Sequence, residues 1–401
     1  MNKKTLNSNS RLNIFDLIYL ALITAFTGVC YKLFYRMCVS ETYESDFTWY
    51  INLPTSQYKE RHRLLGFLFD LMYRHGIRIP GMVLYLALVI AGIILMSYVY
   101  LKFFTAGSGV NRAVLELASL LVLFMGPIYV PGFHEYYYRW SFQTFAWHSP
   151  TEQSMILYSI IAMLCFIKMY EESEEKVNRK WWLATMLTSL FCAFAKPSFI
   201  IDLIPAMILL FLIDLFTPSG ESFGHKLGRL VIMGTSLIPA GVYMLAVMKY
   251  SFNGEGDLHE GSVIIDIQHV IDYPNLTGAI VCGLAFPIVV WLVNIKLLKE
   301  KRYRAVAALF VMGVIQWSLL YEEGERAAHG NFAWGRQAGC FFFFLTSVAI
   351  AINNWKDKQF LSEKPLLRKA YFALIGLLLI MHVASQLRYF YLICMGHKYL
   401  I

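Results

Sequence analysis

Apolar stretches separated by short polar segments recur along the whole chain. Several of them reach the ~20 consecutive residues that an α-helix needs to cross a lipid bilayer. This pattern predicts an all-α, polytopic membrane protein with a single transmembrane domain over residues 1–401. We expect about eleven transmembrane helices, at residues 14–34, 81–103, 111–131, 153–170, 181–195, 198–217, 228–249, 276–298, 304–321, 337–353 and 368–394.

The composition agrees with this pattern. Of the 401 residues, 58% are apolar or aromatic and only 15% are charged, whereas an average soluble domain carries about 25% charged residues. Such a composition excludes an intrinsically disordered chain, a nucleic-acid-binding domain and a secreted disulfide scaffold. The seven cysteines show no C-x-x-C or Cys/His ligand spacing, so they predict neither a zinc site nor a disulfide framework.

The distribution of basic residues predicts the orientation in the membrane. Cytoplasmic loops of membrane proteins carry an excess of Lys and Arg, and the chain has basic runs at its N-terminus and at residues 296–304 and 356–369. These runs predict a cytoplasmic N-terminus and an external C-terminus, and the short loops between helices favour a bacterial plasma membrane. The longer loops, at 35–80, 132–152, 250–275 and 322–336, are then external, and we expect any chemistry on that face.

The first outer loop, residues 35–80, combines an acidic motif with an amphipathic segment. Glu44-Ser45-Asp46 places two carboxylates where they can share a cation, or where repulsion raises the pKa of one into the range of a general base. The alternative is a solvated acidic turn at the membrane surface. Residues 62–79 carry leucines at helical spacing between arginines, including Arg63, which predicts a helix lying in the membrane interface and contacting lipid headgroups or a lipid-linked phosphate.

This order of features resembles the GT-C class of membrane glycosyltransferases. The resemblance covers residues 1–80, with the Glu44-Ser45-Asp46 motif in the first outer loop, and the overall layout of many spans. It implies a GT-C-like fold and the transfer, with inversion, of a sugar from a polyprenyl-phosphate donor to a lipid-linked or cell-surface glycan acceptor. By position in the motif, Asp46 or Glu44 would be the catalytic base. The resemblance leaves a divalent cation open as a cofactor.

Two single residues are further candidates for substrate binding. His148 lies in Trp-His-Ser-Pro-Thr (147–151), which is similar to a Trp-His-Asn-Pro-Thr segment of bacterial multispanning proteins, and it is suited to hydrogen-bond a phosphate or a hydroxyl. A structural residue before Pro150 is the alternative interpretation. Lys196 lies where two apolar runs meet, and its compact charge suits a phosphate. Its alternatives are a side chain that reaches towards water and an ion pair with Asp202.

The fourth outer loop, residues 322–336, is the densest polar cluster. Arginine can bind a phosphate through two parallel hydrogen bonds, and glutamate can bond sugar hydroxyls. An internal salt-bridge network that orders the loop is the alternative. The predicted substrate-binding residues of this loop are Glu323, Glu325, Arg326, His329 and Arg336.

Two other functions stay open. A polymerase or ligase that moves a whole lipid-linked glycan would use the same arginines and depend less on the first-loop acid. A transporter or flippase without chemistry would have charges in mid-helix and internal symmetry, whereas Asp16 and Asp214 lie near predicted helix ends. His382 is the main exception, and we interpret it as a hydrogen-bonded core residue. For the enzyme, the expected partners are the sugar donor, the glycan acceptor and membrane lipids, without nucleic acid.

Overall fold

Fifteen α-helices make up most of the computed structural model, which describes residues 13–40, 43, 45–55, 63–131, 142–218, 220–252, 262–272, 275–323 and 331–397. In chain order they are α1 (Ile14–Val39), α2 (Phe47–Asn52), α3 (Leu64–Arg74), α4 (Ile79–Phe104), α5 (Arg112–Leu121), α6 (Pro150–Glu172), α7 (Arg179–Ala195), α8 (Ser198–Phe216), α9 (Phe223–Thr235), α10 (Ile238–Phe252), α11 (Gln268–Ile271), α12 (Leu276–Val293), α13 (Lys301–Leu319), α14 (Asn331–Lys356) and α15 (Pro365–Cys394). Short 3-10 helices cover Val122–Phe124 and Ile295–Lys299.

Among the described residues, seven helices are long and apolar enough to cross a membrane, namely α1, α4, α6, α8, α12, α14 and α15. The α9–α10 pair is an eighth if its two bent halves form one span. The predicted all-α architecture is therefore confirmed, and the helices able to span a membrane are those expected of an integral membrane protein. The number of eleven spans stays a prediction, since α7 and α13, which pack against α6 and α14, are not in that set.

The prediction of one continuous helix over residues 111–131 is wrong. α5 ends at Leu121, the 3-10 turn ends at Phe124, and the chain beyond it is irregular. Pro127 explains the break, because proline lacks an N–H donor and disfavours helical geometry at the residue before it. Polar groups of an irregular backbone inside a bilayer need partners within the protein. Here the N–H of Ile128 donates to the carbonyl of Cys282 at 3.0 Å.

Side chains of α15 satisfy the carbonyl groups at this break. The side-chain amide of Gln386 donates to the carbonyl of Pro127 at 2.8 Å, and the imidazole of His382 bonds the carbonyl of Gly126 through Nδ1. The second nitrogen of His382, Nε2, accepts from the backbone N–H of Phe286 at 3.3 Å, so the proton is on Nδ1. The interpretation of His382 as a hydrogen-bonded core residue is confirmed.

The helix predicted at 228–249 is not continuous, although its two halves still form one span if both cross the membrane together. The structure divides it into α9 and α10, whose axes differ by 51°, and Pro239 near the start of α10 accounts for the break. The structure also adds a short antiparallel sheet that the sequence did not predict. It pairs β1 (Val263–Ile265) with β2 (Leu320–Glu322) and so joins the third and fourth predicted outer loops.

The amphipathic helix predicted in the first outer loop is present as α3. Leu64, Leu65 and Phe69 are buried against the bundle, whereas Phe67 and Leu71, one turn apart, are exposed. An exposed apolar face of this kind is typical of a helix that contacts lipid. The position of α3 in the interface stays a prediction.

Helix α14 forms the centre of the bundle. Its residues from Ala338 to Ile350 are buried, and Phe343 stacks on Phe310 of α13 with ring centroids 4.2 Å apart. The two helices approach closely at Gly339, where a Cβ atom would lie 3.1 Å from the Cα of Phe310. Small residues permit such close approaches between helices in membranes.

We expect Gly339→Ala to lower the free energy of unfolding by about 1–3 kcal/mol, because the added methyl group would meet backbone atoms of α13 that cannot move aside. The measurement is thermal unfolding of the full chain in a neutral detergent. Gly376→Ala in α15 is the matched control, since nothing lies within 4 Å of its Cβ position. Equal unfolding midpoints for the two variants would contradict this account of the α13–α14 contact.

Candidate functional site

Asp46, His148 and Lys196 are far apart in the sequence and meet at one end of the bundle. Asp46 directly precedes α2, His148 precedes α6, and Lys196 occupies the turn between α7 and α8. The backbone N–H of Asp46 donates to the carbonyl of His148 at 3.0 Å. Electrostatic interactions connect Lys196 to both His148 and Asp46. Three of the predicted site residues therefore share one site.

The turn that carries Lys196 follows from the local sequence. Pro197 cannot continue α7, so the helix ends at Ala195, and Lys196 takes an extended conformation with φ −164° and ψ 129°. The backbone N–H of Lys196 donates to the carbonyl of Cys192 at 3.0 Å, which satisfies a terminal group of α7. α8 then begins at Ser198. The extended conformation of one residue directs this lysine away from both helix axes.

The partner of Lys196 is Glu152, and the alternative of an ion pair with Asp202 is wrong. The Nζ of Lys196 lies 3.2 Å from the Oε2 of Glu152. The Glu152 side chain is fully buried and that of Lys196 is 15% exposed. Sequence reasoning missed Glu152, although an ionisable residue in the first turn of an apolar helix was an available signal.

Trp334 closes the site from α14. Its ring lies under the Lys196 ammonium, with Nζ 3.8 Å from the ring centroid, which is a favourable cation–π distance. The His148 ring is 5.8 Å from the same indole. The sequence analysis did not assign a role to Trp334. Its indole ring therefore lies against both the Lys196 ammonium and the His148 imidazole.

Burial determines the protonation of His148. It lowers the pKa of His148 to about 3, and the positive charge of Lys196 acts in the same direction. The imidazole is therefore neutral at physiological pH and can donate one hydrogen bond and accept another. Burial also lowers the pKa of Lys196, while the carboxylates of Glu152 and Asp46 oppose this effect. The carboxylates of Glu152 and Asp46 therefore stabilise the charged form of Lys196.

Arg63 adds a second positive charge to the site. It occupies the position before the first residue of α3, and its charge acts on Lys196 in the same direction as burial, towards a lower pKa. The two cations repel each other, so an anion between them is stabilised by both charges. The site therefore combines Asp46, a neutral imidazole and two cations.

Arg336 and Asp202 lie deeper, around the start of α14. The guanidinium of Arg336 lies over the rings of Trp317 and Phe142, at 4.1 and 4.8 Å from their centroids, and the residue is 7% exposed. Asp202 fills the space beside Gly335, where a Cβ atom would lie 2.6 Å from its Oδ1. These contacts assign Arg336 to an aromatic pocket next to the Lys196 cluster.

The other predicted residues belong to the fourth outer loop or lie outside the described part of the chain. Glu323 accepts a hydrogen bond from the hydroxyl of Ser262 at 2.8 Å, and its backbone N–H donates to the Ser262 carbonyl at 2.9 Å. This contact extends the β1–β2 pairing, and the choice between substrate binding and an internal salt-bridge network stays a prediction. The predicted residues that fall outside the described ranges are Glu44, Glu325, Arg326 and His329.

Within the described ranges, no group of three or more His, Cys, Asp or Glu side chains could hold a metal ion. The carboxylate pair for which the sequence left a cation open includes Glu44, which is not among those residues. No known protein family matches the chain and no curated protein is similar to it. The functional argument therefore depends on the chemistry of the Lys196 cluster.

We expect Lys196→Met to destabilise the protein by about 3–5 kcal/mol, because it leaves the buried Glu152 carboxylate without its counter-ion. Unfolding in detergent by heat or denaturant measures the loss. Adding Glu152→Gln should recover part of it, since the double variant has no buried unpaired charge at this position. The contrary result would be additivity. If the losses of Lys196→Met and Glu152→Gln sum to the loss of the double variant within about 0.5 kcal/mol, the two residues are independent.

Proposed function

We propose that the protein is a glycosyltransferase of the GT-C type in a bacterial plasma membrane. In this proposal it moves a sugar from a polyprenyl-phosphate donor to a lipid-linked or cell-surface glycan on the outer face, with inversion. The arrangement includes eleven crossings of the membrane, a cytoplasmic N-terminus and an external C-terminus. The support comes from the end of the bundle where Asp46, His148 and Lys196 meet.

The observation that carries the proposal is an acid beside two cations: Asp46 itself is exposed, whereas His148 and Glu152 next to Lys196 are buried. Asp46 is tied to His148 through its backbone N–H, and the charges of Asp46 and Arg63 both act on Lys196. Transfer from a phosphate-linked sugar needs a base for the acceptor hydroxyl and positive charge for the departing phosphate. These residues supply both requirements within one cluster.

The proposed step is a single displacement. The acceptor oxygen forms a bond to the anomeric carbon while the bond from that carbon to the phosphate oxygen breaks, and the electron pair leaves with the polyprenyl phosphate. Asp46 takes the proton of the acceptor hydroxyl. Lys196 and Arg63 stabilise the charge that develops on the phosphate, and neutral His148 donates a hydrogen bond to it. Attack opposite the leaving group inverts the anomeric centre.

Glu152 and Trp334 hold Lys196 for this role. A lysine side chain has four flexible carbon–carbon bonds and loses much of its rotamer freedom when it is held in one place. The ion pair at 3.2 Å and the indole face at 3.8 Å restrict the ammonium before any substrate arrives. Such preorganisation lowers the cost of placing a charge in the transition state.

One observation favours the transporter as a second candidate. Asp202 is 1% exposed inside α8, and neither of its carboxylate oxygens has a hydrogen-bond partner among the residues that the structure describes. Buried acids within membrane helices are frequent in proton or ion pathways. A transporter would need Asp202 for movement of its cargo and would show no turnover of a sugar donor. A glycan polymerase would turn over lipid-linked oligosaccharide and depend less on Asp46.

We expect Asp46→Asn to reduce sugar transfer at least 100-fold, the usual contribution of a general base, while donor binding is retained. The assay uses detergent-purified full chain with a panel of radiolabelled polyprenyl-phosphate sugars and follows transfer or slow donor hydrolysis. Asp357→Asn, at the opposite end of the bundle, is the control with unchanged turnover. Full activity of Asp46→Asn would eliminate Asp46 as the base, and no binding of any donor by the parent protein would eliminate the glycosyltransferase.

A further inference from the structure

The basic run at residues 296–304 has no part in the site around Lys196 and lines a cavity at the other end of the bundle. α6 and α8 both start beside Lys196, and their opposite ends, at Glu172 and Phe216, lie next to this cavity. α9 and the start of α13 complete its wall. The cavity has a volume of about 780 Å³, which is large enough for a headgroup-sized ligand.

Most charges in the wall are already paired with each other. Four ion pairs line the cavity, namely Arg302–Glu171 at 2.6 Å, Arg304–Asp214 at 2.9 Å, Arg229–Glu221 at 3.0 Å and Lys301–Glu174 at 3.4 Å. The lining charges outside these four pairs are Lys226, Lys299 and Glu300. The lining therefore holds six cations and five carboxylates, an excess of one positive charge, because Glu300 offsets one of the two unpaired lysines.

Lys226 is the unusual member of this wall. It is 6% exposed, and the two hydrogen bonds of its Nζ go to the carbonyl oxygens of Asp214 and Thr217. These carbonyls belong to the C-terminal end of α8 and supply a partial negative charge, but among the described residues no carboxylate forms an ion pair with Lys226. A buried charge without a counter-ion is costly. An anion bound in the cavity would supply the missing countercharge.

The surroundings of the cavity indicate what carries the anion. Phe216 is 73% exposed, Phe223 is 57% exposed and Leu227 is 42% exposed, and all three lie in α8 and α9 beside Lys226. Large apolar side chains at the end of a membrane-spanning helix are stable in lipid and costly in water. Basic pockets between membrane helices at the level of the headgroups bind anionic lipids.

We infer that this cavity binds a phosphate group, carried by the headgroup of an anionic phospholipid whose acyl chains pack on Phe216, Phe223 and Leu227. The phosphate oxygens accept hydrogen bonds from Lys226 and Lys299 and from the outer N–H groups of the paired arginines. The inference does not depend on the proposed glycosyltransferase activity, since it uses other residues at the other end of the bundle.

The test is native mass spectrometry of the full chain in a neutral detergent, titrated with dioleoylphosphatidylglycerol or dioleoylphosphatidylcholine. We expect the anionic lipid to bind more tightly and Lys299→Gln to weaken its binding about fivefold, the usual effect of one basic residue at an anionic lipid surface. Lys299 is exposed, so this variant keeps its fold even if Lys226→Gln does not. Lys356→Gln, an exposed lysine at the end of α14, is the control without effect.

A competition arm with inorganic phosphate separates the two sources of the phosphate group. Displacement of the lipid only at phosphate concentrations far above the lipid concentration supports the headgroup. Inorganic phosphate that binds as tightly as the lipid would overturn the lipid assignment in favour of a soluble phosphate compound. Unchanged lipid affinity in Lys299→Gln, or an equal loss in Lys356→Gln, would overturn the site.

Discussion

The ion pair between Lys196 and Glu152 is the interaction on which the site depends. Both residues lie at helix ends where burial removes them from water, and neither charge is stable there alone. The pair forms because α6 and α7 pack side by side and because Pro197 directs Lys196 out of its helix. The other residues of the site lie around this pair, namely Asp46, Arg63, His148 and Trp334. The polar site is therefore a consequence of how three apolar helices begin and end.

Breaks in helices make this polar end feasible. Non-helical backbone at membrane depth is tolerated only where the protein itself supplies hydrogen bonds. The Gly126–Pro127 break meets this condition through His382 and Gln386 of α15. The segment that begins at residue 142 packs into the bundle, with Phe142 and Trp147 buried. That buried segment brings His148 into contact with Asp46. In a regular helix through Gly126, the carbonyls of Gly126 and Pro127 would bond within the helix and could not accept from His382 and Gln386.

The sequence predicts the parts of this structure that local patterns encode. The apolar runs identify the long helices, leucine spacing identifies α3, and the unusual positions of Asp46, His148 and Lys196 mark three residues that do share a site. Glu152 and Trp334 could not be assigned from the sequence, because their importance comes from contacts with a residue far away in the chain. The β1–β2 pairing depends on partners in other segments in the same way, whereas the break after Leu121 had a local signal in Pro127. Periodicity reports which face of a helix is apolar, and it carries no information on which helix that face meets.

The two polar ends of the bundle have different chemistry. One contains two acids, a neutral imidazole and two cations, Lys196 and Arg63, and the other contains paired charges around a cavity with an excess of one positive charge. Both contain cations suited to a phosphate group, and only the first also contains an acid placed for proton removal. This difference is why we propose chemistry at the first end and only ligand binding at the second.

The most direct test of the central claim is a cryo-electron microscopy map of the full chain with a polyprenyl phosphate bound. The account predicts density for the phosphate group within hydrogen-bonding distance of the Nζ of Lys196, on the side that Asp46 and Arg63 share. Density for the phosphate elsewhere, with the Lys196–Glu152 pair unaltered and no ligand beside it, would contradict the account.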